Sequence, residues 1–252
     1  MNQYLKNLNK IEFVVTDACT GRCKHCFAGL CQGSGARIDP ELAADAVRKI
    51  SSEYDIKTVM AFGGEPLLHT DATFAVMNAA KELKIPKRQL ITNGYFTNDA
   101  SLISEVAKRL AECGVNDLLI SVDAFHQEFI PIDVVKTFAR EALRYSIPIR
   151  LQPAWLVSVE DDNSYNVKTK EILLEFADLE IATGEGNIVY PEGNALVYLA
   201  EYFKDHHPQN PYTDDPCDVK CVSFCANGDV LDGNFYTNDI MDILNGYTPQ
   251  IF

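Results

Sequence analysis

Cys19-Thr20-Gly21-Arg22-Cys23-Lys24-His25-Cys26 places three thiols within eight residues, with three and then two residues between them. It follows a strand-like run, Ile11 to Thr16, and precedes a stretch of mostly small residues from Ala28 to Gly35. Three thiolates on one short loop suit an iron–sulfur cluster, since bridging sulfides hold the irons and each thiolate caps one. Three caps on a four-iron cluster leave one iron without a protein ligand. An open coordination position is what a catalytic metal centre needs and a structural one lacks. A zinc knuckle stays open as an alternative, with His25 or Cys31 as a fourth ligand. A disulfide with a spare thiol is disfavoured. Met1 to Lys10 is polar and does not read as a signal peptide, so a reducing compartment is expected.

Around this loop the composition suits a single large core. The chain has 252 residues, of which 47% are hydrophobic and 23% charged, a size common for one α/β barrel. No apolar run reaches membrane-spanning length, so a cytoplasmic protein with no membrane partner is expected. Charge is unevenly placed. Residues 1–158 carry 18 acids and 18 bases, whereas residues 159–252 carry 18 acids and 4 bases, which is the whole net charge of −14. Nucleic acid is thus a poor partner for the C-terminal third. That third reads either as a solvated face or as a docking surface for a basic substrate such as a Lys-rich peptide.

Strand and helix patterns alternate along the chain. Asp39 caps and Pro40 opens a helix to about Tyr54, and Lys57 to Phe62 reads as a buried strand. A helix from Thr70 to Lys84, a strand at Gln89–Thr92, a helix from Asp99 to Cys113 and a strand at Asp117–Asp123 come next. Then come a helix from Asp133 to Tyr145, a strand from Ile147 to Val157, a helix at about Lys168–Ala177, a strand at Asn187–Tyr190 and a helix from Ala195 to Phe203. Six strand–helix units imply a parallel sheet with helices outside. The unusual residues fall at one strand end after another: the cysteine loop, Gly63-Gly64-Glu65-Pro66, Thr92-Asn93-Gly94, Ser121-Val122-Asp123 and Pro191-Glu192-Gly193-Asn194. In a barrel these ends converge on one mouth.

The cysteine loop after a first strand, with a Gly-Gly-Glu-Pro motif ending the second, resembles the radical S-adenosylmethionine (radical SAM) superfamily over roughly Ile11 to Asn194. The resemblance implies a partial (β/α)6 TIM-like barrel. It implies a 4Fe–4S cluster on Cys19, Cys23 and Cys26, with SAM chelating the fourth iron and cleaved reductively to a 5′-deoxyadenosyl radical. It also implies an electron donor such as flavodoxin or ferredoxin. The cofactor carries this chemistry, and the protein supplies aim and water exclusion.

The same resemblance implies further site residues. Gly63 and Gly64 let the backbone approach the methionine moiety, and Glu65, followed by Pro66, is placed to receive its ammonium. Thr92 and Asn93 match a polar position that helps to hold SAM, their bland alternative being an Asn-Gly turn. Ser121 and Asp123 share a strand face and match ribose or carboxylate contacts, unless Asp123 simply caps the next turn of chain. Arg150 and Gln152 share a face, and the Arg fork fits a carboxylate, unless it pairs with a surface acid. His25 takes the position often aromatic before the third cysteine, near the adenine, with Phe27 beyond it. Pro191 joins this set at the last strand end. His126, three residues after Asp123, is a weaker candidate for the mouth.

From Pro208 the chain is turn-rich, with Cys217, Cys221 and Cys225 in nine residues and a final helix at Asn238–Leu244. This resembles the auxiliary-cluster extension, of SPASM or twitch type, of radical SAM enzymes that modify peptides. Cys221 precedes Asn227-Gly228-Asp229-Val230 as that pattern asks, but Gly233 stands where a further cysteine is expected. A second iron–sulfur cluster, a redox-active or hydrogen-donating thiol, and buried leftover thiols all remain open. Cys31 and Cys113 read as structural. The expected division is a barrel at 1–207 and a Cys-rich extension at 208–252. The leading expectation is hydrogen abstraction from a peptide or protein side chain. A small-metabolite substrate is the alternative, and a non-catalytic iron–sulfur or zinc module is a third reading.

Overall fold

The structure, a computed structural model, describes residues 2–29 and 35–250. Cys31 lies outside them. In chain order the elements are β1 (Lys10–Val14), α1 (Pro40–Glu53), β2 (Thr58–Phe62), α2 (Thr70–Glu82), β3 (Lys87–Thr92), α3 (Ala100–Glu112), β4 (Asp117–Ser121) and α4 (Ile132–Arg144). They continue as β5 (Ile149–Gln152), β6 (Ala154–Trp155), α5 (Ser164–Leu174), β7 (Ala182–Thr183), β8 (Asn187–Ile188) and α6 (Asn194–Tyr198). The last are β9 (Cys221–Phe224), β10 (Asp229–Val230), β11 (Gly233–Asn234) and α7 (Ile240–Gly246). Local chemistry sets the boundaries. The Asp39 carboxylate accepts the Glu41 and Leu42 N–H groups at the start of α1, and Asp99 does the same for Ser101 and Leu102 at α3.

Strands β1 to β5 pair in parallel and in sequence order, and β7 continues from β5. Each connection through a helix returns to the same sheet, as expected for a partial (β/α) barrel. Alternate residues split the two faces. On β1, Ile11 and Phe13 are fully buried in the helix-side core, while Lys10, Glu12 and Val14 face the barrel interior.

Two features depart from the sequence reading. The stretch expected as one strand from Ile147 to Val157 is broken at Pro153, which has no N–H to donate. β6 beyond it pairs with β8 in a separate two-stranded sheet, so the expected strand at Asn187 is not part of the main one. The described part of the expected extension, 208–250, pairs and packs with the barrel. β9 pairs in parallel with β1, Lys10 opposite Cys221 and Phe13 opposite Phe224, and extends the sheet across the edge that β1 would leave open. The Phe13 and Phe224 rings stack at 4.7 Å. Val222, Phe224, Val230, Ile240 and Leu244 share one hydrophobic core with Val47, Val59 and Leu90. Among the described residues no helix is long and apolar enough to cross a membrane.

Candidate active site

The strand ends and the sheet interior enclose a cavity of about 570 Å³. Its upper wall is the cysteine loop, and its lower wall reaches Lys10, Glu12 and Gln89 near the beginnings of β1 and β3.

The loop is pinned from three sides. At its base, Thr16 accepts the Gly64 N–H at 2.7 Å and Ala18 accepts the Glu65 N–H at 2.8 Å. These contacts explain both glycines. Gly63 has φ +135°, and a Cβ on Gly64 would stand 2.1 Å from the Ala18 carbonyl oxygen. Both glycines also line the cavity. On the second side, Asn93 donates through Nδ2 to Thr20 Oγ1 at 3.1 Å and to Cys19 Sγ at 3.6 Å. On the third, the backbone N–H of Asn194 donates to Cys26 O at 2.9 Å, and its side-chain amide to Cys23 O at 3.0 Å. A side chain on Gly193 would collide with the Phe27 carbonyl at 2.1 Å.

Cys19, Cys23 and Cys26 all line the cavity. A Cβ added to Gly21 would lie 3.2 Å from Cys23 Sγ and 3.7 Å from Cys19 Sγ, so both sulfurs converge over this residue. Among the described residues, Cys23, His25 and His126 form the one triple of possible ligands whose atoms lie within 4.8 Å of one another. Three thiols on one short loop, all on the cavity wall, are a donor set that fits three caps on an iron–sulfur cluster. Burial pushes the Cys19 thiol up to about 11 and the Cys23 thiol further in the same direction, and nearby acids add to both. Such thiols become thiolates by binding a metal centre.

Several of the expected contact residues have their polar atoms bonded within the scaffold. Glu65 is fully buried and off the cavity wall. Its carboxylate accepts the Leu67 N–H at 2.9 Å, the Thr92 hydroxyl at 2.7 Å and the Asn93 N–H at 2.8 Å. It joins the ends of β2 and β3 and does not reach toward a ligand ammonium. Burial pushes it up to about 7 against the pull of these three donors. Pro66, also buried, opens the short turn behind it. Thr92 edges the cavity, but its hydroxyl already donates to Glu65 and accepts the Gly94 N–H.

Asp123 likewise caps. Its carboxylate accepts the N–H groups of Phe125 and His126 at 2.9 Å each, the Ala154 N–H at 3.0 Å and His126 Nδ1 at 2.8 Å. Burial alone would raise this acid, but the His126 ring and the hydrogen bonds bring it down to about 2. With four donors taken, Asp123 orients His126, and both residues line the cavity. Arg150 is corrected too. Its guanidinium pairs with Asp117 through Nη2 at 2.7 Å and Nε at 3.2 Å, at the far end of the strands and off the wall. Pro191 is half-buried and off the wall; its neighbour Tyr190 lines the cavity.

Ser121, Gln152, His25 and Phe27 do line it. The His25 ring packs on Phe125 at 4.8 Å and on His126 at 4.9 Å, with Nδ1 buried and without a hydrogen-bond partner. Burial pulls this imidazole down to about 4. Phe27 is 51% exposed and stacks with Tyr190 at 6.3 Å. The three later thiols do not gather. Cys217 is exposed. Cys221 opens β9 low in the barrel, and Cys225 comes just after the strand's end and lines the cavity. Four residues of strand, about 13 Å, separate their backbones. Cys113 is buried in the core at the end of α3.

A model of the Radical SAM superfamily matches residues 13–145. This chain belongs to that superfamily. The radical SAM fold accounts for the sheet, and the superfamily's cofactors are a 4Fe–4S cluster and SAM; the chain is an enzyme. A GTP 3′,8-cyclase of Aliarcobacter butzleri is 30% identical over 125 residues, 49% of this chain and 37% of that one. A GTP 3′,8-cyclase of Clostridium botulinum is 24% identical over 206 residues, 77% of this chain and 63% of that one. The chain spans between two fifths and just under two thirds of the curated relatives it first matches. Among solved structures, native anSMEcpe with bound AdoMet superposes with a TM-score of 0.58 at 15% identity, over 92% of this chain and 76% of that one. BtrN in complex with AdoMet and 2-DOIA gives 0.50 at 18% identity, over 95% and 82%. These likenesses are of fold.

Sequence reasoning placed Gly193 and Asn194 at the mouth without assigning them the clamp on the cysteine loop, and it missed Lys10, Glu12 and Tyr212. Lys10 and Glu12 carried a signal, as charges on the inward period of a strand.

Proposed function

We propose that the radical SAM chain holds its 4Fe–4S cluster on Cys19, Cys23 and Cys26 and acts on a small polar metabolite. The bound cluster supplies the electron that cleaves SAM, and hence a hydrogen-abstracting radical. The protein's own part is placement. The Gly63–Gly64 backbone, Ser121, Gln152 and the rings of His25, Phe27 and Tyr190 border the space below the cysteine loop and are the groups left to hold SAM. His126, fixed through Nδ1 by Asp123, lines the same space. Water exclusion falls to the apolar walls at Val14, Phe62, Ile91 and Leu119.

The observation that carries the substrate reading is the continuity of one cavity from the cysteine loop to Lys10 and Glu12. About 570 Å³ that must also admit SAM leaves room for a metabolite or one side chain. Charge narrows this further. Among the described lining residues Lys10 is the single ammonium or guanidinium, and it is bonded to Glu12 at 2.6 Å, with Asp17 also on the wall. A nucleoside triphosphate such as GTP meets no basic cluster there.

The test is anaerobic reconstitution with iron, sulfide, reductant and SAM, and then assay of 5′-deoxyadenosine. Cluster-loaded protein is expected to form it, and faster with the low-molecular-weight fraction of a cell extract than with the peptide fraction. Loaded protein that forms none sinks the enzyme assignment of these cysteines. Stimulation by the peptide fraction alone sinks the small-substrate reading.

A further inference from the structure

We propose that the Lys10–Glu12 pair on the interior face of β1 is the substrate anchor, and that it takes the zwitterionic head of an α-amino acid. This rests on the proposal that the substrate is a small metabolite.

Lys10 and Glu12 are two residues apart on one strand and therefore share a face. That face is the lower cavity wall. Their side chains are 30% and 16% exposed, and Lys10 Nζ lies 2.6 Å from Glu12 Oε2. Burial pulls the Lys10 ammonium down, but the hydrogen bond and charge of Glu12 outweigh it and hold it above its ordinary value. Cys221 stands opposite Lys10 in the β1–β9 register, and burial together with the charge of Glu12 pushes its thiol up. On the same cavity wall, the Tyr212 hydroxyl donates to Asn187 Oδ1 at 2.7 Å, and Tyr212 lies within charge range of Lys10 and Glu12.

Stability does not explain this pair. The interior of a parallel barrel is ordinarily filled by branched apolar side chains. A half-buried ion pair there contributes no more than well-packed apolar residues would, because desolvation offsets the attraction. The pair instead leaves a positive and a negative group side by side on an accessible wall. Its complement is a ligand with a carboxylate and an ammonium on neighbouring atoms, laid antiparallel: the carboxylate on Lys10, the ammonium on Glu12. A polyanion would face Glu12, and a polycation would face Lys10.

Position supports the same assignment. Four residues of β1, about 13 Å, separate Lys10 from Val14 beneath the cysteine loop. A head group anchored at Lys10 and Glu12 sends the amino acid's side chain up the cavity, toward the space that the loop overhangs. The α-carbon then lies low and the side chain lies where hydrogen abstraction takes place.

The experiment is calorimetric titration of the full, cluster-loaded chain in saturating SAM, so that the methionine head of the cofactor is already placed. The probes are the twenty L-amino acids, each free, as its N-acetyl derivative and as its methyl ester. At least one free amino acid is expected to bind more than tenfold tighter than both blocked forms. Lys10→Met is expected to erase the preference over the ester, and Glu12→Gln the preference over the N-acetyl form. No binding by any free amino acid, or equal binding of blocked and free forms, overturns the proposal. The blocked ligands make this decision on the unmutated protein even if a variant fails to fold. Loaded protein that forms 5′-deoxyadenosine yet binds no amino acid loses only this inference. Failure to cleave SAM removes the reading beneath it.

Discussion

The side-chain amide of Asn194 donates to the Cys23 carbonyl at 3.0 Å, across 171 residues of chain. With the Asn194 N–H on Cys26 O, it ties the end of the last repeat to the loop after the first. Asn194→Ala removes the side-chain half of this clamp and leaves the Cys23 carbonyl with the Cys26 N–H at 3.2 Å, at a cost of about 0.5–1.5 kcal/mol. The fold should survive while the loop loosens. Iron and acid-labile sulfide per chain, measured after reconstitution and gel filtration, should fall to well under the wild-type value. Unchanged iron retention would mean that the clamp is dispensable.

Glu65 is a buried acid held by three donors, and its folded-state value of about 7 lies above the ordinary 4.5. A carboxyl raised by folding contributes stability that is fully present below about pH 4.5 and lost as pH rises through about 7. A shift of this size corresponds to about 3 kcal/mol. Glu65→Gln cannot ionise, but its NH₂ group meets donors where the carboxylate accepted them, so it is less stable throughout. The gap between the two proteins in urea unfolding should narrow from pH 5 to pH 8. A gap that widens over this range contradicts the raised acid.

The architecture was legible in the sequence because it is written in period. Apolar positions at helical spacing mark α1 to α4, and Gly-Gly, Asn-Gly and Pro-Glu-Gly-Asn punctuate the strand ends. What was not legible is where the polar atoms go. Glu65, Thr92 and Asp123 sit at the strand ends as expected, yet their oxygens are consumed by backbone N–H groups and hydroxyls of neighbouring loops. Sequence spacing places a side chain on a face, but it does not say which loop's donors arrive first. The four-residue β9 was hidden for another reason. Cys-Val-Ser-Phe is too short to show a period, and only pairing with β1 makes it a strand.

Gly64 predicts a sharp contrast between two glycines. Its added Cβ would lie 2.1 Å from the Ala18 carbonyl oxygen, and backbone on both sides cannot yield cheaply. Gly64→Ala should separate the β2 end from the base of the cysteine loop, destabilise by more than about 2 kcal/mol and abolish 5′-deoxyadenosine formation. Gly246→Ala, at the end of α7 with nothing within 4 Å of its added Cβ, should shift stability by less than about 1 kcal/mol. Thermal unfolding of both variants decides; equal shifts would contradict the close approach.

Asp123→Asn tests the turn that carries His126. The folded acid lies at about 2, below its ordinary 3.8, so its contribution is present above pH 3.8 and lost as pH falls through about 2. The amide offers one acceptor oxygen where the carboxylate serves four donors. The expected loss is about 3 kcal/mol at pH 7, shrinking toward pH 2. Urea unfolding across that range reads it. A loss that is the same at pH 7 and pH 2.5 would show that the charge of Asp123 is not what holds the turn.

The C-terminal thiols are expected to hold no cluster of their own. Cys221 begins β9 beside Glu12, and Cys225 lies just past its end on the cavity wall. A cluster spanning both would have to bridge about 13 Å of extended backbone, and β9 cannot fold back while it pairs with β1. Cys217 is exposed and stands before the strand rather than over it. Replacing Cys19, Cys23 and Cys26 together by Ala should therefore leave close to no iron after reconstitution, whereas a second 4Fe–4S cluster would leave about four irons per chain. Cys225→Ser in the otherwise unmutated chain should keep about four irons, since Cys19, Cys23 and Cys26 supply the three caps. If the triple variant retains iron, the C-terminal thiols converge in a way that the β1–β9 register forbids, and the pairing itself must be reconsidered.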